Sequence, residues 1–373
     1  MNAATIGARL RALREKQRLS QDEMAKRMGF NDRQTLSDLE LGSRKVSAQD
    51  LVNAALALGT TVSFLTDPLQ LVGEGEFSWR QKGVDLEQLD AFESKAGSWI
   101  AAYRYISQLK GDPVNSALRR LELTEKSSFE QAEAQGEAIA ATLGLGDIPA
   151  HRLSATLEDA LDTLVLYVDT VPGISGAACQ LGALNTILVN RKDPAARRHY
   201  DMAHELFHLL TWQTMPPARL DQAEGASKKY KRIEQLAESF GAGLLMPAIT
   251  IDKLVVKNPL PAMAQLAGWL VSAAALMQVS PPALLWRLVN LGHVQKAAAE
   301  RLVAGNALGN QARETALADV PPLPFSKRFL GVLGWGIDQG HLSARRAATL
   351  LAMDVGALAE LFELHGLSAP FDL

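Results

Sequence analysis

The sequence has little of what stabilises secreted proteins or anchors membrane proteins. Cys179 is the single cysteine among 373 residues, which excludes an internal disulfide framework and a zinc finger built on cysteine ligands. We interpret it as a small buried thiol. The opening stretch, MNAATIGARLRALREKQRLS, lacks the apolar core of a signal peptide. The sequence therefore predicts a cytoplasmic protein in a reducing compartment.

Formal charge is missing from one long segment, residues 258–286. As a single helix, this segment would be long enough to cross a bilayer. Pro259, Pro261 and the prolines after Ser280 interrupt it, and Ser280 followed by Pro281 is typical of an N-cap and a first helical position. We therefore predict two buried helices here and no membrane partner.

The sequence does have enough apolar residues for several cores, and its charge is unevenly distributed. Hydrophobic residues make up 47% of the chain, which predicts two or three globular domains. Residues 1–66 contain ten Lys/Arg and seven Asp/Glu, a net charge of +3, whereas the whole chain has −3, so the remainder carries −6. A positive end on a negative chain is typical of a nucleic-acid-binding region.

The first part of the chain has the pattern of short amphipathic helices joined by tight turns. A capping box at Ser20–Glu23 and the segment Ser47–Asp50 predict the starts of two helices, and residues 31–34 predict the start of another that ends at Gly42. Two helices separated by a short turn, in a bundle of about sixty residues, form a helix-turn-helix whose second helix enters the major groove. Double-stranded operator DNA is therefore the predicted partner.

Residues 6–65 resemble the Cro/phage-repressor (XRE) family of helix-turn-helix domains. The segments that carry the resemblance are LRALREKQRLSQDEMAKRMGF, TLSDLELGSR and LVNAALALGTTVSFL, and the turn FNDRQT is one residue longer than the commonest family form. We expect a homodimer. Each candidate DNA contact has a solvated helix face as its alternative interpretation. The candidate base readers are Arg33, Gln34, Thr35 and Ser37, and the candidate phosphate contacts are Arg44 and Lys45.

A zinc-site motif, His204-Glu205-Leu-Phe-His208, follows three predicted strands at 163–169, 174–181 and 185–190. Histidines four residues apart leave the same helix face and suit one metal ion, and a glutamate beside the first can deprotonate water. Such a site takes a third protein ligand, and either Glu234 or Glu238 could supply it. The alternative is that two histidines fell four residues apart by chance on a buried helix.

Residues 150–292 resemble the ImmA/IrrE family of zinc metallopeptidases. The matching segments, in order, are VPGISGA, ILVNRKDPAARRHYDMAHELFHLL, EQLAESFGAGLLMP and VSPPALLWRLVNLG. The resemblance implies that zinc is the cofactor and that a repressor is cleaved to switch on stress or mobile-element genes. Its implied ligands are His204, His208 and Glu234, and its implied general base is Glu205.

Two residues depart from the family's pattern. In addition, three side chains are candidates to stabilise the oxygen that becomes negatively charged in the reaction. Phe207 stands where the family often has Gly, and Gly241 where it usually has Ala, so we expect a pocket of different shape. The side chains that could meet the negatively charged oxygen of the transition state are Tyr230, Arg198 and His199.

These patterns predict a mainly α fold: an N-terminal all-α helix-turn-helix bundle, a central α+β zincin-like domain with a small sheet, and a C-terminal helical region. We place the helix-turn-helix domain at 1–67, a linker and helical segment at 68–145, the metallopeptidase domain at 146–295 and the C-terminal region at 296–373. Within the last region, residues 340–367 predict two short helices with Ser343 and Asp354 near their starts. This pair is interpreted either as a second helix-turn-helix or as a dimerisation or docking module.

Three functions are compatible with these features. The first is a DNA-bound regulator whose zinc metallopeptidase cleaves itself or a partner repressor. The second is a transcription factor whose zinc domain senses a ligand without cutting. The third is a protease whose helix-turn-helix binds a protein instead of DNA. An intact Glu205 favours a working enzyme.

Overall fold

A computed structural model describes residues 3–73, 75–112, 118, 120–216, 228–304 and 319–372, which form 17 helices and four strands. The chain divides into two compact units. The first consists of Met1–Glu76, Glu87–Val114 and Leu330–Leu373, and the second of Phe77–Leu86 and Asn115–Phe329. The mainly α fold class with a small sheet is confirmed, whereas the domain boundaries at 67, 145 and 295 stay predictions.

The first unit opens with five helices, several of which begin at a capping side chain. Ser20 forms the predicted capping box, Ser47 forms a second one at the predicted helix start, and Asp32 accepts from the Thr35 amide. Residues 28–32 join the second and third helices, and Gly29 adopts a φ of +77° there, which glycine tolerates. The five helices are α1 (Ala3–Lys16), α2 (Gln21–Arg27), α3 (Arg33–Glu40), α4 (Ala48–Leu58) and α5 (Val62–Thr66).

The first unit also contains α6 (Leu86–Lys110) and most of the helix Lys327–Asp338. Its two C-terminal helices are Ala344–Leu351 and Val355–Leu364. The indole Nε1 of Trp99 on α6 donates to the Leu350 carbonyl oxygen at 2.9 Å and so fixes the first of these helices. Ser343 and Asp354 are their N-caps, which confirms the two predicted helix starts.

The charge of the C-terminal helix pair bears on its predicted role. The second helix exposes Glu360 and Glu363, and the segment 355–364 contains no Lys or Arg. A helix that enters the groove of DNA meets phosphate on both sides, so an acidic face disfavours that position. The choice between a second helix-turn-helix and a docking module stays a prediction, and these side chains favour docking.

The second unit is built on a mixed sheet of order β1-β3-β4-β2. β4 pairs parallel with β2 and antiparallel with β3, so Ile187 lies opposite both Val165 and Ala178. The three predicted strands are confirmed. The interpretation of 68–145 as linker and helices alone is wrong at β1, whose alternation was too short to stand out. The strands are β1 (Glu76–Gln81), β2 (Thr163–Val168), β3 (Ile174–Leu181) and β4 (Leu184–Asn190).

Helices make up most of the rest of the second unit. They include α7 (Phe129–Thr142), α8 (Pro149–Leu161), α9 (Ala195–Thr211), α10 (Lys228–Leu245), α11 (Ala248–Lys257), α12 (Met263–Met277), α13 (Pro281–Asn290) and α14 (Lys296–Ala304). α9 packs against β3, β4 and α10, and α8 packs against β2. The sheet and α10 therefore enclose α9.

The charge-free segment forms two helices, α12 and α13, with Ser280 as N-cap and Pro281 at the start of the second, as predicted. In the described part of the chain, no single helix is long and apolar enough to cross a bilayer. α10 with α11, and α12 with α13, meet that criterion only as pairs bent by 50° and 100°.

Glycines allow α7 and α10 to approach backbone to backbone. A methyl group added at Gly243 on α10 would meet the Glu133 carbonyl oxygen at 2.1 Å, and one added at Gly136 on α7 would meet the Phe240 carbonyl oxygen at 2.2 Å. Gly241, two residues before Gly243, has room, because its added methyl would be 3.6 Å from the nearest atom, Ala203 Cβ. Two glycines of one helix therefore differ sharply in what they tolerate.

This difference predicts opposite effects of one substitution on stability. Gly241→Ala should raise the free energy of unfolding by about 0.5–1 kcal/mol, because Ala loses less backbone entropy than Gly in a helix. Gly243→Ala should lower it by about 1–3 kcal/mol or more, because the helices must separate. Urea unfolding of both variants measures the difference. Equal effects would contradict the close packing of α7 on α10.

Candidate metal centre and nucleic-acid interface

Helix α9 carries the zinc-site motif into the core of the second unit. Every residue from Asp201 to Thr211 is buried, and His204 and Glu205 are each only 1% exposed. Burying a polar group without a partner costs about 1–3 kcal/mol, so buried polar side chains ordinarily have partners. Both carboxylate oxygens of Glu205 and the Nδ1 atoms of His204 and His208 nevertheless have no hydrogen-bond partner among the described residues. Such a concentration indicates a ligand site.

Three side chains meet at one point. The Nε2 atoms of His204 and His208 are 3.1 Å apart. Glu234 on α10 places Oε2 3.2 Å from His204 Nε2 and Oε1 3.5 Å from His208 Nε2. These atoms form a group of metal-type ligands within 4.8 Å of one another. Glu238, the alternative third ligand, lies outside this group and is exposed.

Burial changes the proton affinity of these groups. It lowers the pKa of His204 to about 3 and raises the pKa of Glu205 to about 8. Burial opposes the charged forms of His208 and Glu234 as well. Hydrogen bonds from His204 and His208 outweigh it for Glu234, whose pKa is lowered, and the hydrogen bond to Glu234 outweighs it for His208, whose pKa is raised. A neutral His204 and an ionised Glu234 are the forms that bind a metal ion.

Gly176 on β3 lets the sheet approach the part of α9 that carries the zinc-site motif. A methyl group added at Gly176 would meet the Leu188 carbonyl oxygen at 2.9 Å, Glu205 Cγ at 3.7 Å and Asp201 Cβ at 3.9 Å. Asp201 and Glu205 are one turn apart on α9, so both face this point of the sheet. Gly176 therefore fixes how closely Glu205 can lie against β3.

Sequence reasoning missed two residues beside Glu205. Asp201 is 1% exposed, and its Oδ1 lies 3.1 Å from Nε of Arg80 on β1. Its Oδ2 lies 3.6 Å from Nε of Arg197. Burial raises the pKa of Asp201 to about 6, against the two guanidinium charges. Asp201 could have been found four residues before Glu205 on the same face; Arg80 could not, since β1 went unrecognised.

The three candidate oxyanion partners have different surroundings. Tyr230 hydrogen-bonds Glu234, and its pKa is raised by burial and by the charges of Glu234 and Glu205, so its phenol lies at the metal-type cluster. Arg198 pairs with Asp319 at 2.8 Å. His199 Nδ1 lies 3.2 Å from the Gln278 carbonyl oxygen. Tyr230 is therefore the best placed of the three.

The two departures from the family's pattern pack around the cluster. The Phe207 ring is buried, with its centroid 5.7 Å from that of His208 and 5.6 Å from that of Phe240. An alanine methyl at Gly241 would make ordinary contacts with Ala203 and the Tyr200 ring. Both positions accommodate their residues while His204, His208 and Glu234 stay together.

In the first unit, a chain of polar contacts links the first three helices. Arg14 on α1 pairs with the buried Glu40 on α3 at 2.6 Å. Gln21 at the start of α2 donates to Glu40 at 2.8 Å and accepts from Arg33 Nε at 2.9 Å. The pair of helices that would dock on DNA is therefore held by buried charge, and the chain of contacts ends on an exposed candidate base reader, Arg33.

The candidate base readers on α3 differ in how free they are. Gln34 is exposed and its amide bonds Asp38 on the next turn at 2.8 Å. The backbone amide and the hydroxyl of Thr35 both donate to the N-cap carboxylate of Asp32. Ser37 is half-buried beside Arg33 in the cleft between α1, α2 and α3. Arg33 and Gln34 are therefore the most accessible of the four.

The two candidate phosphate contacts lie after α3. Arg44 is 3.3 Å from Asp50 and its guanidinium carbon lies 5.3 Å from the Phe30 ring centroid. Lys45 is exposed. Arg44 is thus held in place before any DNA contact, which reduces the side-chain entropy lost on binding.

Family models match two parts of the chain. A helix-turn-helix domain matches residues 5–63, and an IrrE N-terminal-like domain, a peptidase family, matches residues 159–284. The chain joins a DNA-binding helix-turn-helix domain to an IrrE-like peptidase domain. Both resemblances inferred from the sequence are confirmed. No curated protein and no solved structure matches the chain.

The matched segments contain the candidate residues of both sites. The IrrE-like peptidase segment includes His204, Glu205, His208 and Glu234, and it begins well after β1. Arg80 is therefore a contribution to this site from outside the matched segment. All six candidate DNA contacts lie within the helix-turn-helix segment.

Proposed function

We propose that the chain is a cytoplasmic, operator-binding transcriptional regulator whose IrrE-like domain is a zinc metallopeptidase. In this proposal it cleaves a repressor or itself during a stress or mobile-element response. The observation that carries it is the convergence of His204, His208 and Glu234 beside the unpartnered, buried Glu205. The combination of the two domains supports the proposed role in transcription, since a helix-turn-helix brings a peptidase to the promoter it controls.

The spacing of the ligand atoms supports zinc. Three donors bound to a tetrahedral zinc ion at about 2.0–2.1 Å lie about 3.3–3.4 Å from one another. The two Nε2 atoms are 3.1 Å apart, and the Glu234 carboxylate places Oε2 3.2 Å from that of His204 and Oε1 3.5 Å from that of His208. Two imidazoles and one carboxylate also form a donor set that catalytic zinc sites use, with a fourth position left open.

The residues around this point have complementary roles in the proposed reaction. When bound, zinc supplies a Lewis acid that polarises the peptide carbonyl. Glu205, whose raised pKa makes it a strong proton acceptor once ionised, takes the proton of the attacking water and passes it to the leaving nitrogen. Tyr230 can donate its hydroxyl hydrogen to an oxygen that becomes negative.

A second candidate function is a non-proteolytic sensor, in which zinc or a ligand at the same site changes DNA binding. The observation in its favour is the fusion to the helix-turn-helix, because a domain tethered to DNA can be kept for sensing alone. Both functions use the same three ligands. They differ in whether Glu205 is required.

Metal analysis of two matched glutamate variants tests the proposed centre. We expect the purified chain to hold about one zinc ion, Glu234→Ala to lose most of it, and Glu238→Ala to retain it. Both substitutions remove one carboxylate from α10, but Glu238 is exposed. Zinc content by mass spectrometry, with folding checked by circular dichroism, gives the result. Full occupancy in Glu234→Ala with loss in Glu238→Ala would show that the third ligand is wrong.

A further inference from the structure

Strand β1 brings one guanidinium to the proposed zinc site from a distant part of the sequence. Arg80 lies more than a hundred residues before His204, and its side chain is 22% exposed. β1 neighbours β3 in the sheet, and the Lys82 amide bonds the Gly173 carbonyl oxygen at 2.9 Å just before β3 begins. The strand that carries Arg80 is thus fixed to the sheet on which α9 packs.

Two nitrogens of the Arg80 guanidinium, Nε and Nη1, have different surroundings. Nε lies 3.1 Å from Oδ1 of the buried Asp201, an ion pair that holds the guanidinium beside α9, although neither Asp201 oxygen accepts a hydrogen bond from the described residues. Its guanidinium carbon lies 5.9 Å from the Tyr200 ring centroid. Nη1 is buried, and among the described residues it has no hydrogen-bond partner. An anchored guanidinium with one buried donor left over is suited to receive an oxygen of a ligand.

The guanidinium of Arg80 places a positive charge beside the proposed zinc site. Its partner Asp201 lies one turn before Glu205 on the same face of α9, so the guanidinium lies beside the glutamate of the motif. A cation this close to a zinc site weakens metal binding unless it is compensated. Asp201 supplies that compensation, which makes the pair electrically neutral while leaving Nη1 available.

We propose that Arg80 is the anion-binding residue of this site and that its guanidinium donates to a negatively charged oxygen of the bound substrate. Asp201 is its positioning residue. This inference rests on the proposed zinc function. The oxygen could be that of the attacked peptide group or that of a substrate carboxylate, since both present the same acceptor to Nη1.

The test uses the full chain loaded with Co²⁺, whose visible spectrum reports ligands at the metal. A phosphonamidate dipeptide represents the attacked peptide group, and acetate represents a carboxylate. Relative to wild type, Arg80→Met should bind the phosphonamidate about 10 to 100 times more weakly, the range expected for a lost charge-assisted hydrogen bond. It should bind Co²⁺ at least as tightly, because a cation has been removed.

Further variants separate this role from a structural one. Arg80→Lys should recover part of the affinity for the phosphonamidate, because lysine keeps the positive charge but lacks the planar, multiple-donor guanidinium. Asp201→Asn should weaken Co²⁺ binding, since Arg80 is then uncompensated. The double variant Arg80→Met with Asp201→Asn removes the pair together and checks folding. Arg301→Met, an exposed arginine on α14, is the control for loss of charge and should match wild type.

The outcomes decide between the two claims. Weaker phosphonamidate binding supports an oxyanion contact, and weaker acetate binding alone supports a carboxylate contact. If Arg80→Met binds Co²⁺ and both probes within twofold of wild type, the inference about Arg80 is overturned while the zinc site stands. Failure of wild type to bind Co²⁺ would overturn the proposed zinc function, and this inference with it.

Discussion

Glu205→Gln should keep its zinc and its operator affinity and lose peptide cleavage at least about 100-fold. The loss follows because general-base catalysis typically contributes 10²–10⁴-fold, and an amide cannot take the proton of the attacking water. Zinc is retained because Glu205 is not one of the three converging ligands. The substitution preserves shape, and a neutral Gln is easily accommodated where burial already disfavours the charge.

The matched variant is His204→Ala, which should lose zinc, cleavage and thermal stability together, because metal binding is linked to folding. Cleavage is followed by mass spectrometry of fragments of the chain itself and with a quenched-fluorescent peptide library. Zinc content and melting temperature are measured on the same samples. Cleavage by Glu205→Gln at the wild-type rate would remove Glu205 from the reaction.

Replacing Arg33 and Gln34 together by Ala should abolish most of the preference for the operator over scrambled DNA. A good bidentate contact to a base contributes about 1–3 kcal/mol of discrimination, so two of them correspond to about 30-fold or more. These two side chains are exposed on α3, whereas the hydroxyl of Thr35 is bonded to the N-cap carboxylate. We therefore expect Thr35→Val to change sequence preference less.

Arg44→Ala distinguishes a phosphate contact, which positions the protein on DNA, from a contact that recognises the base sequence. Loss of one phosphate contact should weaken binding to all sequences alike and reduce the salt dependence by about one unit of slope. Fluorescence anisotropy at several salt concentrations, with operator and scrambled duplexes, measures both effects. Arg301→Ala, exposed on α14, is the control. Equal affinity of the wild-type chain for operator and scrambled DNA would contradict the proposal that this domain recognises an operator sequence.

Those elements with local signals were the ones that could be predicted from the sequence. Serine capping boxes and a proline after Ser280 mark helix starts through contacts within four residues, and the structure has them where expected. The histidine pair is also local, since four residues on a helix bring both rings to one face. Spacing alone allowed either Glu234 or Glu238, because the choice depends on how α10 packs against α9.

Long-range features were missed for the same physical reason. Arg80 reaches Asp201 only because β1 joins the sheet beside β3, and no periodicity within β1 reveals that neighbour. The contact of α7 with α10 likewise depends on Gly136 and Gly243 facing each other's backbone. In the sequence, these glycines look the same as Gly241, which has room for a methyl.

The most direct test of the central claim, that the zinc site acts by proteolysis, is the transcript level of the operator-controlled genes in cells under inducing conditions. Strains carry wild type, Glu205→Gln or His204→Ala at equal protein levels. A proteolytic regulator predicts that neither variant responds to the inducing condition as wild type does, although Glu205→Gln still holds zinc and binds DNA. Normal induction by Glu205→Gln with failure of His204→Ala would contradict proteolysis and favour a zinc-dependent sensor.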